Sequence, residues 1–451
     1  MLLCAQNVLP ITADPIYDGA VVVQDGKIVD VGPAEIMRLR YPEEEVRDFG
    51  QAAIIPGMID LHTHLEGSAR RSVVKDLPYT EWVSSMTEMG TKLDYRDRCA
   101  SAVMGALDAL SSGVTFVADV SSTGASCEAL KRLGLRGTVY REVGAMDKRR
   151  VEFAIESARD DIESWAARID SDKVSIGISP RETYNCHPYV FTKAAELART
   201  ENIPLALNLA GSYEEYQFIS RGSSALSVAN GTAKRGFVEI PPWLPSGTSP
   251  VRYVLNWGAF EADNVLAVHC VHVDADDINR LKQYDVAVAM CPRSNAHLSM
   301  GIAPLFDFMR SDLRVGLGTG YSVAADSTDM FAEMRIGMLI QRSANPGKFI
   351  DSETMLRMAT IDAARALRME DKIGSLEAGK CADIAVVDLS GTYRQPGEDP
   401  SPDIVNSCTN ADVLLTMVAG EVKYEKDNWN LDLDVARDIA RVIEIRSKLR
   451  N

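Results

Sequence analysis

Between residues 56 and 365 the chain alternates short apolar runs with helical stretches, and that alternation leaves few folds open. The runs are MIDLHTH, VTFVADV, RGTVYREV, VSIGISP, PLALNLA, VLAVHCVH, VAVAMCP and RVGLGTG, with segments such as RCASAVMGALDALSSG and YVFTKAAELARTENI between them. A strand followed by a helix and another strand is the repeating unit of a parallel sheet. Its strands are covered on both faces and therefore read as continuous apolar runs. Eight such units in succession predict an α/β fold of the (β/α)8 type, with ligand-contacting residues at the C-terminal ends of the strands.

The two chain ends have a different texture. AVVVQDGKIVDVG reads as a β-hairpin turned at Asp25-Gly26. After about residue 365, GSLEAGKCADIAVVDLSG and DVLLTMVAGEVKYEKD return to short β segments that could pair with that hairpin, and DVARDIARVIEIRSKLR closes the chain as a helix. The expected organisation is a barrel over 56–365 and a small composite β-sandwich domain from 1–55 and 366–451. The stretch 217–250 is longer and richer in Gly, Ser and Pro than a βα connection needs, and it is expected to cover the barrel mouth.

Formal net charge is −16 and the estimated pI about 5.0. Nucleic acid and anionic membrane surfaces both require a basic face, so neither is expected as a partner. Eight scattered cysteines without a CxxC pair read as reduced thiols. The start, MLLCAQNVLPITADP, has no basic region ahead of an apolar stretch, and no uncharged run approaches the ~18 residues of a membrane span. The expectation is a soluble, cytoplasmic protein.

Chemistry concentrates where strands end. In IIPGMIDLHTHLEGS, His62 and His64 are two apart, so on a strand both point to one side, half of a metal site. PGMIDLHTH, HCVHVDADDI, CPRSNAHL, GLGTGYS, DMFAEMR and GSLEAGKCADI together resemble the amidohydrolase superfamily, in its cytosine deaminase/chlorohydrolase-like branch. HTHLEGS, TEWV and FVADVSSTG bring the texture nearest to aminodeoxyfutalosine and adenosylhomocysteine deaminases. The likeness spans nearly the whole chain and implies the same barrel, a small nucleoside-like or nitrogen-heterocyclic ligand, C–N hydrolase ancestry and a homo-oligomer, a homodimer being the expected form.

The resemblance implies a metal held by the His-x-His pair, by a strand-five histidine opening an HxxE motif, and by a strand-eight aspartate. Position by position, His62 and His64 are present, Asn208 and Gly211 stand for the histidine and glutamate, and Gly320 stands for the aspartate. SPRETY replaces an SPHAPY-like segment, putting Arg181 where a substrate-binding histidine is implied. A neutral amide is a poor zinc ligand and glycine offers only backbone. The implied acid and base each supply roughly 10²–10⁴-fold, so conventional zinc-dependent deamination is not expected.

Three readings follow: a divergent amidohydrolase-like enzyme with the metal-hydroxide machinery lost, a metal-free lyase or isomerase using a His/Arg-lined mouth, or a non-catalytic metabolite- or partner-binding relative. Candidate catalytic residues are His269 and Arg181. Candidate ligand contacts are Glu66, Arg181, Tyr184, Asn208, Arg293, Asn295, His297 and Tyr321. His62, His64 and His269 would be the ligands of any metal, which is expected to be absent or a single weakly held zinc or iron ion at His62/His64. Arg181 favours a carboxylate or phosphate on the ligand, or else pairs with Glu182 or another acid. Glu214, Glu215, Asp326 and Asp329 are expected to be solvated, and His187 and His272 to be packing or hydrogen-bonded residues.

Overall fold

The computed structural model describes residues 1–450 apart from 74–75, 223–225, 227–244, 322–323, 325–326, 392–398 and 430–432. Most of the expected mouth cover, and Asp326, lie outside the described residues. Strands β1 (Leu2–Val8), β2 (Ile16–Gln24), β3 (Lys27–Pro33), β4 (Val46–Asp48) and β5 (Ala52–Pro56) open the chain. The barrel strands follow as β6 (Met58–Thr63), β7 (Val114–Ser121), β8 (Arg136–Val143), β9 (Val174–Pro180), β10 (Leu205–Leu209), β11 (Val265–His269), β12 (Ala287–Met290) and β13 (Val315–Leu317). They pair in sequence order, all parallel, which is the predicted barrel.

The second sheet joins both chain ends. β14 (Ile384–Asp388) pairs antiparallel with β5, then with β15 (Val413–Val418), which pairs with β16 (Glu421–Glu425). The C-terminal strands therefore enter beside β5, while the β2–β3 hairpin lies beyond β1 and meets the returning chain through an isolated Lys27–Cys381 bridge. Asp25 and Gly26 both take positive φ, 48° and 75°, as the tight turn between twisted strands requires. Leu3, Val21, Ile54, Ile384, Leu415 and Met417 gather on one face of this sheet as its core.

Closure of the barrel occurs at the mouth. The Thr319 amide donates to Asp60 Oδ1 at 2.8 Å and its hydroxyl to Asp60 Oδ2 at 2.6 Å, while Gly320 N donates to His62 O at 2.8 Å. Glycine at 318 is required by proximity, since a Cβ there would sit 2.7 Å from His62 N. The last helix, Leu433–Arg450, lies against the helix Tyr95–Ser111 and the 3-10 helix Leu65–Arg70, and its Val442, Ile445 and Leu449 belong to one apolar cluster with Tyr79, Trp82 and Met86. No helix among the described residues is long and apolar enough to cross a membrane. The eight cysteines are free thiols, seven of them buried.

Arg136 Nε and Asp383 Oδ2, 2.8 Å apart and both buried, tie the base of the barrel to the composite sheet. Asp383 also accepts from Ala419 N at 2.7 Å, and its carbonyl accepts from Gly57 N. Removing one member of a buried pair strands the other charge, at about 3–5 kcal/mol. Asp383→Asn is therefore expected to lower unfolding free energy by about that amount in guanidinium titrations. A second change, Arg136→Met, should recover much of it.

Candidate functional site at the barrel mouth

His62 ends its strand pointing inward with Asp60 two residues before it, on the same side by the strand period. The Nε2 atoms of His62 and His64 are 3.2 Å apart, with the rings edge-on at 4.8 Å. Two imidazole nitrogens on one tetrahedral zinc lie about 3.3 Å apart, so this pair has the bite for an ion. His269, at the end of β11, sits with its ring 6.1 Å from that of His62. Its φ of 74°, followed by 46° at Cys270, places two consecutive non-glycine residues in the left-handed region, a strain usual at functional sites. Asn295 Oδ1 lies 2.8 Å from His269 Nδ1. An amide oxygen only accepts, so the ring proton is on Nδ1 and Nε2 keeps its lone pair.

Burial is the main cause that holds all three imidazoles neutral. It drives His62 well below the ordinary range, aided by His64 and His269. It brings His64 down to about 3 and His269 to about 4, with the Glu182 charge acting in the opposite direction on both. Asp60, fully buried and accepting from His62 N and Thr319, is pushed up to about 7 by desolvation.

The positions matched to the implied third and fourth ligands are built differently. Asn208 Nδ2 lies 3.4 Å from Glu182 Oε1 and 3.3 Å from the Tyr321 hydroxyl, which itself donates to Glu182 Oε1 at 2.9 Å. Asn208 Oδ1 is shielded from solvent and has no hydrogen-bond partner among the described residues. The Tyr321 ring stacks on His64 at 4.3 Å and 7° and meets Trp82 edge-on at 4.9 Å. At Gly211 a Cβ would meet Met300 Cε at 2.8 Å and His269 Cδ2 at 3.3 Å. At Gly320 φ is 70° and a Cβ would fall 2.9 Å from Ser294 Cβ. Among the described residues no group of three His, Cys, Asp or Glu side chains is placed to hold a metal ion.

The other candidates divide between mouth, wall and surface. Glu66 is buried behind the mouth, where its carboxylate accepts from Ser121, from Thr123 Oγ1 at 2.8 Å and from Ser122 Oγ at 3.1 Å, with Arg98 at 3.6 Å. Arg293 donates to Asp329 O and Ser327 Oγ and faces the buried Glu333 at 3.6 Å. Desolvation raises Glu333 to about 8 against the pull of Arg293. Tyr184 is fully buried, its hydroxyl 2.6 Å from that of Tyr79. His297 is exposed on the helix Pro292–His297, away from the imidazole cluster. Arg181 is exposed at the rim and paired with Glu142 at 2.8 Å, the acidic partnership foreseen as the alternative to ligand binding.

Glu215 departs from expectation. It is buried, accepts from Thr183 Oγ1 at 2.7 Å and Gly211 N at 2.9 Å, and is raised to about 7 by burial. Asp329 is also buried and caps the helix Met330–Ala344, accepting from Phe331 N and Ala332 N. His187 accepts from Tyr189 N at 3.2 Å and His272 contacts Met300 O at 2.7 Å. Sequence reasoning missed Glu182, Asp60 and Trp82. The strand period could have found Asp60, but nothing in SPRETY separates the directions of Arg181 and Glu182.

Two outcomes follow. Imidazole ¹⁵N spectra should show His62, His64 and His269 neutral at pH 5. Their folded-state values lie below the ordinary 6.5, so they cost nothing above that pH and disfavour folding progressively as pH falls toward 4. Gly320→Asp should lose about 2–5 kcal/mol in urea unfolding, from strain plus overpacking, without raising zinc content.

The amidohydrolase family model matches residues 53–423, and an imidazolonepropionase-like composite domain of bacteria matches 19–43. The 5-methylthioadenosine/S-adenosylhomocysteine deaminase of Symbiobacterium thermophilum is 29% identical over 98% of this chain and 97% of its own. That of Pelotomaculum thermopropionicum is 29% identical over 93% and 92%. Among solved structures, a zinc-bound adenosine deaminase from Xanthomonas campestris superposes with a TM-score of 0.84 at 25% identity, covering 100% of this chain and 98% of that one. Helicobacter pylori aminofutalosine deaminase shares the fold, with a TM-score of 0.78 at 19% identity over 93% and 99%. With a nearly closed eight-stranded parallel barrel, a sheet from both ends and a family match over most of its length, the chain belongs to the amidohydrolase family.

Proposed function

We propose that this chain acts on a small nucleoside-like or nitrogen-heterocyclic molecule at the barrel mouth, without the zinc-hydroxide machinery used for deamination. The deaminases it is similar to act on adenosine-type nucleosides by their names, which supports the ligand class. The observation that carries the second half is the Asn208–Tyr321–Glu182 hydrogen-bonded unit standing where further metal ligands would be needed.

The residues present fit such an ion only in part. His62 and His64 offer a suitable bite, but Asn208 brings an amide and Gly320 is closed to a side chain by φ and by Ser294. No step is therefore routed through a metal. The chain's own groups support proton transfer: His269 is neutral, fixed by Asn295 with a lone pair on Nε2, beside a second neutral imidazole at His62. A positioned imidazole of this kind contributes roughly 10²–10⁴-fold as a general base. An anionic substituent on the ligand would have to compete with Glu142 for Arg181.

Elemental analysis of protein purified without chelator or added metal, run alongside turnover of 5′-methylthioadenosine and adenosine, tests this reading. The expected result is zinc and iron well below one equivalent, and any conversion unchanged by exhaustive chelation. In the same assay His269→Gln should reduce conversion by roughly 10²–10⁴-fold. One firmly held equivalent of zinc, with activity lost on its removal, would overturn the proposal.

A further inference from the structure

Among the described residues Glu182 is a half-buried carboxylate beside the imidazole cluster that makes no ion pair. Tyr321, whose ring stacks on His64, donates to Glu182 Oε1 at 2.9 Å, which sets the carboxylate beside that imidazole. The adjacent cation Arg181 is committed to Glu142 at 2.8 Å. Among the described residues Glu182 receives three hydrogen bonds. Tyr321 and Asn208 donate to Oε1, and Asn185 Nδ2 donates to Oε2 at 2.9 Å. A carboxylate has about four acceptor sites, which leaves Oε2 with capacity. The adjoining Asn208 Oδ1 has no donor among the described residues, although its amide orientation is set by Nδ2 giving to Glu182 and Tyr321. Two neighbouring acceptors in want of donors, one of them ionic, match a group with two or more N–H bonds and partial or full positive charge.

We propose that Glu182 and Asn208 Oδ1 form the recognition site for an amino or amidinium group of the ligand, with Tyr321 holding the carboxylate in place. The proposal deepens the nucleoside reading by naming the ligand edge that is bound, and it rests on that reading only for the rest of the ligand. It selects amine-bearing rings over the same rings without the amine. It also assigns the positive charge that an ion would have brought to this mouth to the ligand instead.

The test measures binding calorimetrically to the full chain with three probes: adenosine, purine riboside lacking the amino group, and benzamidine. Melting temperatures of the free proteins are read alongside. Adenosine should bind wild type at least tenfold more tightly than purine riboside. Glu182→Gln should erase that preference, weakening adenosine and benzamidine by roughly 10- to 100-fold, the usual value of a hydrogen bond to a charged group. It should leave purine riboside unchanged and the free protein's melting temperature equal or higher, because an unpaired charge is removed. Glu182→Asp should keep part of the preference.

If only benzamidine binds, and Glu182→Gln abolishes it, the recognition site stands and the nucleoside reading falls. If Glu182→Gln lowers the melting temperature while every affinity is unchanged, Glu182 is a structural anchor and the proposal is overturned. The same holds if no probe distinguishes Glu182→Gln from wild type, including where none binds.

Discussion

The mouth of this barrel depends on one buried carboxylate. Asp60 accepts from His62 N and from both the amide and hydroxyl of Thr319, so a single side chain sews the first strand to the last and sets the height of His62. Desolvation raises Asp60 to about 7, and hydroxyl and amide donors, not a paired cation, hold it. The seam forces the backbones together: Gly318 touches His62, and Gly320 turns the chain at φ 70°. That turn delivers Tyr321 onto the face of His64. Farther along, Thr328 is fastened to Asp108, which also holds Arg71.

The same preference for neutral donors runs through the barrel wall. Asp119 takes the Thr63 hydroxyl and the Leu65 amide at 2.7 Å each, and burial lifts it to about 7. Glu215 is likewise held by a hydroxyl and a backbone amide, and Glu66 by hydroxyls and a backbone amide with Arg98 at 3.6 Å. The result is a basin in which three imidazoles are neutral and burial raises Asp60, Asp119 and Glu215, with the half-buried Glu182 carboxylate beside them. In a low-dielectric site such a charge dominates what the cavity attracts.

How much of this was readable beforehand follows from physics at each position. Parallel strands buried on both faces must be apolar throughout, so all eight barrel strands stood out whatever their loops did. The His62/His64 pairing followed from the strand period. Beyond a strand end that period no longer applies. Glu66 looked mouth-facing, but the 3-10 helix Leu65–Arg70 turns it back against Ser121. In SPRETY the arginine drew attention, yet the backbone bond from Arg181 N to Val143 O holds the turn, with Arg181 on the rim and Glu182 inside. Glu215 read as solvated because the need of Gly211 N for an acceptor is invisible in a linear pattern.

The departures from the family pattern are best understood as one interdependent set. Tyr321 can lie on His64 because residue 320 has no side chain, and its hydroxyl is satisfied there only because Glu182 is present to accept it. Asn208 serves both, giving its amide hydrogens to Glu182 and to Tyr321. An imidazole at 208 has at most one donor on its outer edge when neutral and could not serve two acceptors. Restoring that histidine alone would therefore leave a buried group unsatisfied, at about 1–3 kcal/mol, and restoring an acidic side chain at 320 would also push against Ser294. Each change makes sense only with its neighbours, because Asn208, Tyr321 and Glu182 share one set of hydrogen bonds.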